Sequence, residues 1–116
     1  MKVLITGSRD WGPDRYRQVY RALAGLSPMW DEVILGDATG VDALAHQVCR
    51  TLGLRYVREE AEWERYRKAA GPKRNAAMLD HRPDVVWWFH DDIVASRGTK
   101  NCVEQAQARG ITTQQR

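Results

Sequence analysis

The sequence predicts a single three-layer α/β domain, residues 1–116, built on a mostly parallel sheet of about five strands. Three observations carry this. Short β-branched runs end at glycine, as in Lys2–Thr6 before Gly7 and Glu32–Leu35 before Gly36. The segments between such runs space their apolar residues as helices do. The chain has 116 residues, 43% hydrophobic and 28% charged, enough for one core and too apolar for a disordered polymer.

The elements follow in order. Lys2–Thr6 is a buried strand. A helix starts at Pro13, a favoured first helical residue, with Tyr16, Val19, Tyr20 and Leu23 on one face. Glu32–Leu35 is the second strand. Val41, Leu44, Ala45, Val48 and Leu52 then mark the clearest amphipathic helix, with Gly53 placed to cap its end. Leu54–Arg58 is a third strand. The stretch from Glu59 to Arg74 is acidic and then basic, a solvated face in which Glu64 and Lys68 form a helical i,i+4 pair. A helix from about Pro72 to His81 precedes the most hydrophobic strand, Asp84–Phe89. Its neighbours Trp87 and Trp88 point to opposite faces, and both are expected in the core. His90–Arg97 reads as loop, Gly98–Arg109 as helix, and Ile111–Thr113 as a short last strand.

Composition excludes several classes. No apolar run approaches the roughly 18–20 residues of a membrane span, and the short apolar start meets Gly7 too soon for a secretory signal. Cys49 and Cys102 are too few for a disulfide framework and suit a reducing cytoplasm. Cys49 reads as inert, whereas Cys102 falls near a helix N-terminus, where a thiolate is stabilised. Eighteen Lys and Arg against 15 Asp and Glu leave a net charge of +3, a small surplus for a nucleic-acid footprint. His90-Asp91-Asp92 lacks a partner set with metal-ligand spacing, so neither a metal nor a cofactor is expected.

In a parallel sheet the ligand sits beyond the carboxyl ends of the strands. Three loops there share one chemistry: Gly7-Ser8-Arg9-Asp10, Gly36-Asp37-Ala38-Thr39-Gly40-Val41-Asp42 and Ser96-Arg97-Gly98-Thr99. Glycines let a ligand approach backbone, and helix N-terminal amides favour anions. One such loop suits capping alone; three at one edge point to an anion site, to which Arg9, Arg74 and Arg97 add donors. Neither the Walker pattern nor the three-glycine dinucleotide fingerprint is present. Asp10 and Asp42 read equally as groups that contact a ribose hydroxyl or act as a base and as helix-start residues. Asn75 beside Arg74 is placed to read a base or a phosphate. Trp63, alone in a charged stretch, reads as a stacking residue or as a surface anchor, and Trp11 packs under the first loop.

The order Ile-Thr-Gly-Ser-Arg-Asp-Trp (5–11), Gly-Asp-Ala-Thr-Gly-Val-Asp-Ala-Leu-Ala (36–45), Ala-Glu-Trp (61–63), Ala-Ala-Gly-Pro-Lys-Arg-Asn-Ala-Ala-Met (69–78) and Ser-Arg-Gly-Thr (96–99) resembles the YspA/YpsA-related SLOG family over almost the whole chain. The resemblance implies a Rossmann-like fold and binding of a nucleotide or nucleotide-derived molecule, in a sensor, carrier or sequestering module of bacterial or phage type. It also implies a homo-oligomer; the small charge surplus makes nucleic acid an unexpected partner, and with no apolar span no membrane partner is expected. The related LOG phosphoribohydrolases supply an alternative, N-glycosidic hydrolysis of nucleoside monophosphates, with Arg74, Asp10 and Asp42 as catalytic candidates. Arg74-Asn75-Ala76-Ala77-Met78 is similar to one LOG motif, but Cys102 stands where the LOG glutamate belongs, and Glu104 is about 200° further round the helix. A second alternative, single-stranded nucleic-acid binding, follows from the basic stretch, the tryptophans and DNA-processing relatives in the superfamily.

Overall fold

The computed structural model describes all residues, Met1–Arg116, as five parallel strands between two helical layers. In chain order these are β1 (Lys2–Gly7), α1 (Tyr16–Leu23, entered through a 3-10 turn at Pro13–Arg15), β2 (Glu32–Leu35), α2 (Val41–Leu52), β3 (Arg55–Arg58), α3 (Trp63–Tyr66, followed by a 3-10 turn at Arg67–Ala69), α4 (Ala70–Leu79), β4 (Val85–Phe89), α5 (Gly98–Ala108, preceded by a 3-10 turn at Ile93–Ala95) and β5 (Thr112–Gln115). The sheet order is β3-β2-β1-β4-β5 and every pairing is parallel, so the sheet is wholly rather than mostly parallel. No helix is long and apolar enough to cross a membrane.

Alternate residues of the central strands feed two cores of unequal size. Val3, Ile5, Val33, Leu35, Val85, Trp87 and Phe89 pack under α1 and α2 in an 18-residue cluster. Leu4, Ile34 and Val86 meet Met78, Leu79, Cys102 and Ala106 of α4 and α5 in a cluster of seven. The sheet order reverses between β1 and β4, so the β1–α1 and β4–α5 loops diverge over that point and leave a crevice between them.

The structure moves some sequence-based boundaries. The last strand is Thr112–Gln115, because the Ile111 N–H still donates to Ala106 O at the end of α5 and Thr112 is the first residue free to pair, with Val85. α4 starts at Ala70; Pro72 stands in its first turn, where a missing N–H forfeits no helical bond. Glu64 and Lys68 do not pair: α3 ends at Tyr66, and Glu62 bonds Arg65 instead. Trp88 is only partly buried, since it lies at the carboxyl end of β4, beside edge residue Gln115 and on the face with the smaller core.

Candidate functional site

The crevice is a cleft of about 650 Å³ at the carboxyl edge of the sheet. Ser8, Arg9 and Asp10 of the β1–α1 loop form one wall, and Ser96, Arg97, Gly98 and Thr99 form another. Trp63 and Lys68, from the segment between β3 and α4, stand over it, and Gly71, Pro72 and Asn75 of α4 line its base.

Backbone bonds fix the walls. Ser8 N–H donates to Phe89 O (2.9 Å), and Val41 N–H donates to Ser8 O (2.9 Å), so the first loop is tied to β4 and α2 together. Gly7 permits this approach, because a Cβ there would meet Phe89 O at 2.5 Å. The hydroxyls serve the loops themselves: Ser8 Oγ accepts from Asp10 N–H (3.1 Å) and Ser96 Oγ from Thr99 N–H (3.0 Å). Asn75, 1% exposed, donates through Nδ2 to Gly98 O (3.2 Å) and Asn101 Oδ1 (3.1 Å), holding α4 to the start of α5.

The cleft presents free cations. Arg9, Lys68 and Arg97 line it and none has a salt-bridge partner, while Asp10 is the only carboxylate in its wall. The Arg9 guanidinium lies 5.5 Å from the ring centre of Trp63, and Trp63 is 44% exposed. A polar, cation-rich concavity with one open aromatic ring suits an anionic ligand that carries a flat ring.

Arg74 is elsewhere. Its side chain is buried in α4, on the stripe of Met78, and Nη1 donates to Asp37 Oδ1 at 2.8 Å. Nη2 reaches Asn75 Oδ1 at 3.4 Å, and Nε has no partner. Gly36 makes room for this group, since a Cβ there would lie 2.7 Å from Asp42 Oδ2 and 3.3 Å from the guanidinium. Gly36, Asp42 and Arg74 are therefore buried outside the cleft lining, with Asp37 and Gly40 partly buried beside them, and the three arginines expected at one edge are divided. Of the catalytic candidates only Asp10 faces the cleft. Lys68 and Asn101, which line it, were not singled out from the sequence; a Lys68 assigned to a helical pair gave no signal of a turn.

Burial pushes the Asp42 carboxyl up to about 6, against the opposing pull of Arg74 and of the hydrogen bond from Ala38 N–H (3.0 Å). A carboxyl raised on folding stabilises the fold when protonated, and that contribution is lost as pH rises from about 4 through 6. The rise from 3.8 corresponds to on the order of 3 kcal/mol. Relative to wild type, Asp42→Asn should therefore gain stability progressively over that window in urea denaturation. A gap that stays constant from acid to neutral pH contradicts this.

Burial also raises both Cys49 and Cys102 to about 12. For Cys102 this corrects the expectation of a stabilised thiolate: the side chain is 0% exposed in the smaller core, and apolar surroundings outweigh the helix start. Cys102 leaves the LOG glutamate position without a carboxylate, and Glu104 is exposed beside Lys100. His90-Asp91-Asp92 is no metal cluster: His90 Nδ1 accepts from Asp92 N–H (2.9 Å), Asp91 pairs with Arg15, and no group of three or more metal-ligating side chains occurs.

Fold and cleft define a Rossmann-like α/β domain with a cationic crevice at its switch point. The chain belongs to the family of the Gene 61 protein of Mycobacterium phage D29, with which it is 38% identical over 118 residues, 95% of this chain and 91% of the phage protein. No protein-family model matches it. Among solved structures it resembles DNA processing protein A (DprA) from Streptococcus pneumoniae, with a TM-score of 0.77 and 16% identity over 98% of this chain and 49% of that one. DprA from Helicobacter pylori, described for its unique single-stranded DNA binding mode, gives a TM-score of 0.71 and 18% identity, over 99% and 64%. The chain thus spans about half of the pneumococcal protein. These identities establish a shared fold. They also correct the expectation that argued against nucleic acid, because the same fold serves a single-stranded DNA binder. The net charge of +3 does not describe the cleft: carboxylates pair with cations elsewhere, and the cleft keeps its own cations unpaired.

Proposed function

We propose that the cleft binds single-stranded DNA, seating a nucleotide unit with phosphate against Arg9, Arg97 and Lys68 and a base against Trp63. The observation that carries this is the gathering of three unpaired cations and a half-open tryptophan around one crevice. Cations follow the backbone whatever the sequence, and an aromatic face accepts any base. The fold shared with the Helicobacter pylori protein supports the same reading, as do the DNA-processing relatives in the superfamily that the sequence resembles.

A second reading keeps the chemistry and shortens the ligand: a free nucleotide or nucleotide derivative. Its support is the cleft volume of about 650 Å³, within the range of small-molecule sites.

Fluorescence anisotropy with labelled oligothymidylate, repeated over a salt series, tests the first reading. Binding should weaken steeply with salt, and Trp63→Ala or Arg9→Ala should each weaken it about tenfold, consistent with about 1–3 kcal/mol per stacked base. No binding at low salt, or binding indifferent to both substitutions, overturns it. Calorimetry with mononucleotides and ADP-ribose then decides whether the shorter ligand is the right one.

A further inference from the structure

A second set of unpaired cations lies outside the cleft, on the outer face of α1 and α2. Arg17 and Arg21 stand one turn apart on α1 and line one groove with Arg116, while Arg50, in the last turn of α2, lines a separate groove with Tyr16 and Thr51. Arg116 is held from three sides. Its N–H donates to Trp88 O (2.9 Å), its O accepts from Gln18 Nε2 (3.1 Å), and its guanidinium sits 4.1 Å from the Trp87 ring centre. None of the four arginines has a salt-bridge partner. The two helices contain one carboxylate, Asp42, and it is buried.

Arg17, Arg21 and Arg116 line one groove, and like charges gathered there repel unless a polyanion joins them. The face offers a protein partner little else: the exposed large hydrophobic residues, Met29, Trp30 and Val94 among them, all lie off α1 and α2. Protein interfaces need such anchors, whereas a phosphate backbone needs only point cations. Asp14, Asp91 and Asp92 line a concavity that adjoins the cleft at Ser8, Asp10 and His90, and the cleft shares no lining residue with the groove of Arg17, Arg21 and Arg116, so the two cationic surfaces are separate.

We infer that the α1 face, through Arg17, Arg21 and Arg116, holds the phosphate backbone of a single strand that extends beyond the cleft. The inference rests on the single-stranded DNA reading above and adds a second contact surface to it. Short strands then report the cleft alone, and long strands report both surfaces.

Anisotropy on the full chain with an oligothymidylate of about four residues and one of about thirty tests this. For Arg17→Gln/Arg21→Gln, the long strand should bind about tenfold more weakly at low salt. The slope of its log affinity against log salt should be shallower by about 1.4, at about 0.7 per lost phosphate contact. The short strand should be unaffected, and Arg9→Ala should weaken it. An unchanged slope and affinity for the long strand in a normally folded double variant overturns the inference. So does loss of poly-glutamate binding with DNA binding intact, which would make the face a dock for acidic protein. If the double variant weakens the long strand while the short strand is never bound, the cleft reading falls and with it the strand's extension from the cleft, leaving this face as the site that holds the strand. If wild type binds neither strand, both fall.

Discussion

Gly40→Ala should unfold or nearly unfold the protein, with a loss of at least about 3 kcal/mol in urea denaturation and no ligand binding at the cleft. Two effects combine. Gly40 has φ 73° and ψ −126°, a conformation that strains any side chain. A Cβ there would also lie 2.1 Å from Ser8 O and 2.6 Å from the Arg9 carbonyl carbon, both backbone atoms that cannot swing aside. Relief requires moving the loop that carries Arg9 and breaking the Val41 N–H to Ser8 O bond. Gly53 is the control, because it has φ 67° but nothing within 4 Å of its Cβ position. Gly53→Ala should cost about 1 kcal/mol, the backbone penalty alone. Equal losses at the two glycines would show that the contact between the loops is unimportant.

Arg74→Ala should cost about 3 kcal/mol, as expected when one partner of a buried ion pair is removed. Asp37 and Asp42 would then face each other without the cation that offsets them, and burial would raise Asp42 further. Arg109 and Asp80 supply the contrast. They meet at 2.9 Å, almost the 2.8 Å of Arg74 and Asp37, yet their side chains are 36% and 71% exposed against 6% and 21%. Arg109→Ala should therefore cost less than about 1 kcal/mol. Asp37→Asn made in the Arg74→Ala protein should recover part of the loss, a coupling that a double-mutant cycle reads directly. A loss at Arg74 no larger than that at Arg109 would mean that burial does not set the strength of the pair.

These two positions also show where the sequence was readable. Strands β1, β2 and β4 are apolar runs stopped by glycine or a polar loop, and they lie within a residue of their expected limits because both of their faces are covered. β5 is Thr-Thr-Gln-Gln, an edge strand whose side chains are mostly exposed, so it carries little hydrophobic signal. The cleft was legible through its loops, since strand-end glycines and hydroxyls occur where β1 and β4 diverge. Its third cation was not. Lys68 reaches the cleft from a turn that no periodicity marks, while Arg74 shares a helical stripe with Met78 and Ala70 and so turns inward. The spacing from Arg74 to Met78 already held that information, but a charged residue before a motif methionine reads more readily as a ligand contact than as a buried partner.

The two unequal cores bear on how the cleft opens. Local unfolding follows the layer with the least apolar packing to lose, and α4 with α5 rests on seven core residues where α1 with α2 rests on eighteen. The wall bearing Arg97 and Gly98 therefore belongs to the looser half of the molecule, and the wall bearing Arg9 is bonded to α2 in the firmer half. A ligand that spans from Arg9 to Arg97 would act as a clasp between them, suppressing the easiest opening motion and stabilising the whole fold by an amount that grows with the logarithm of ligand concentration above its dissociation constant.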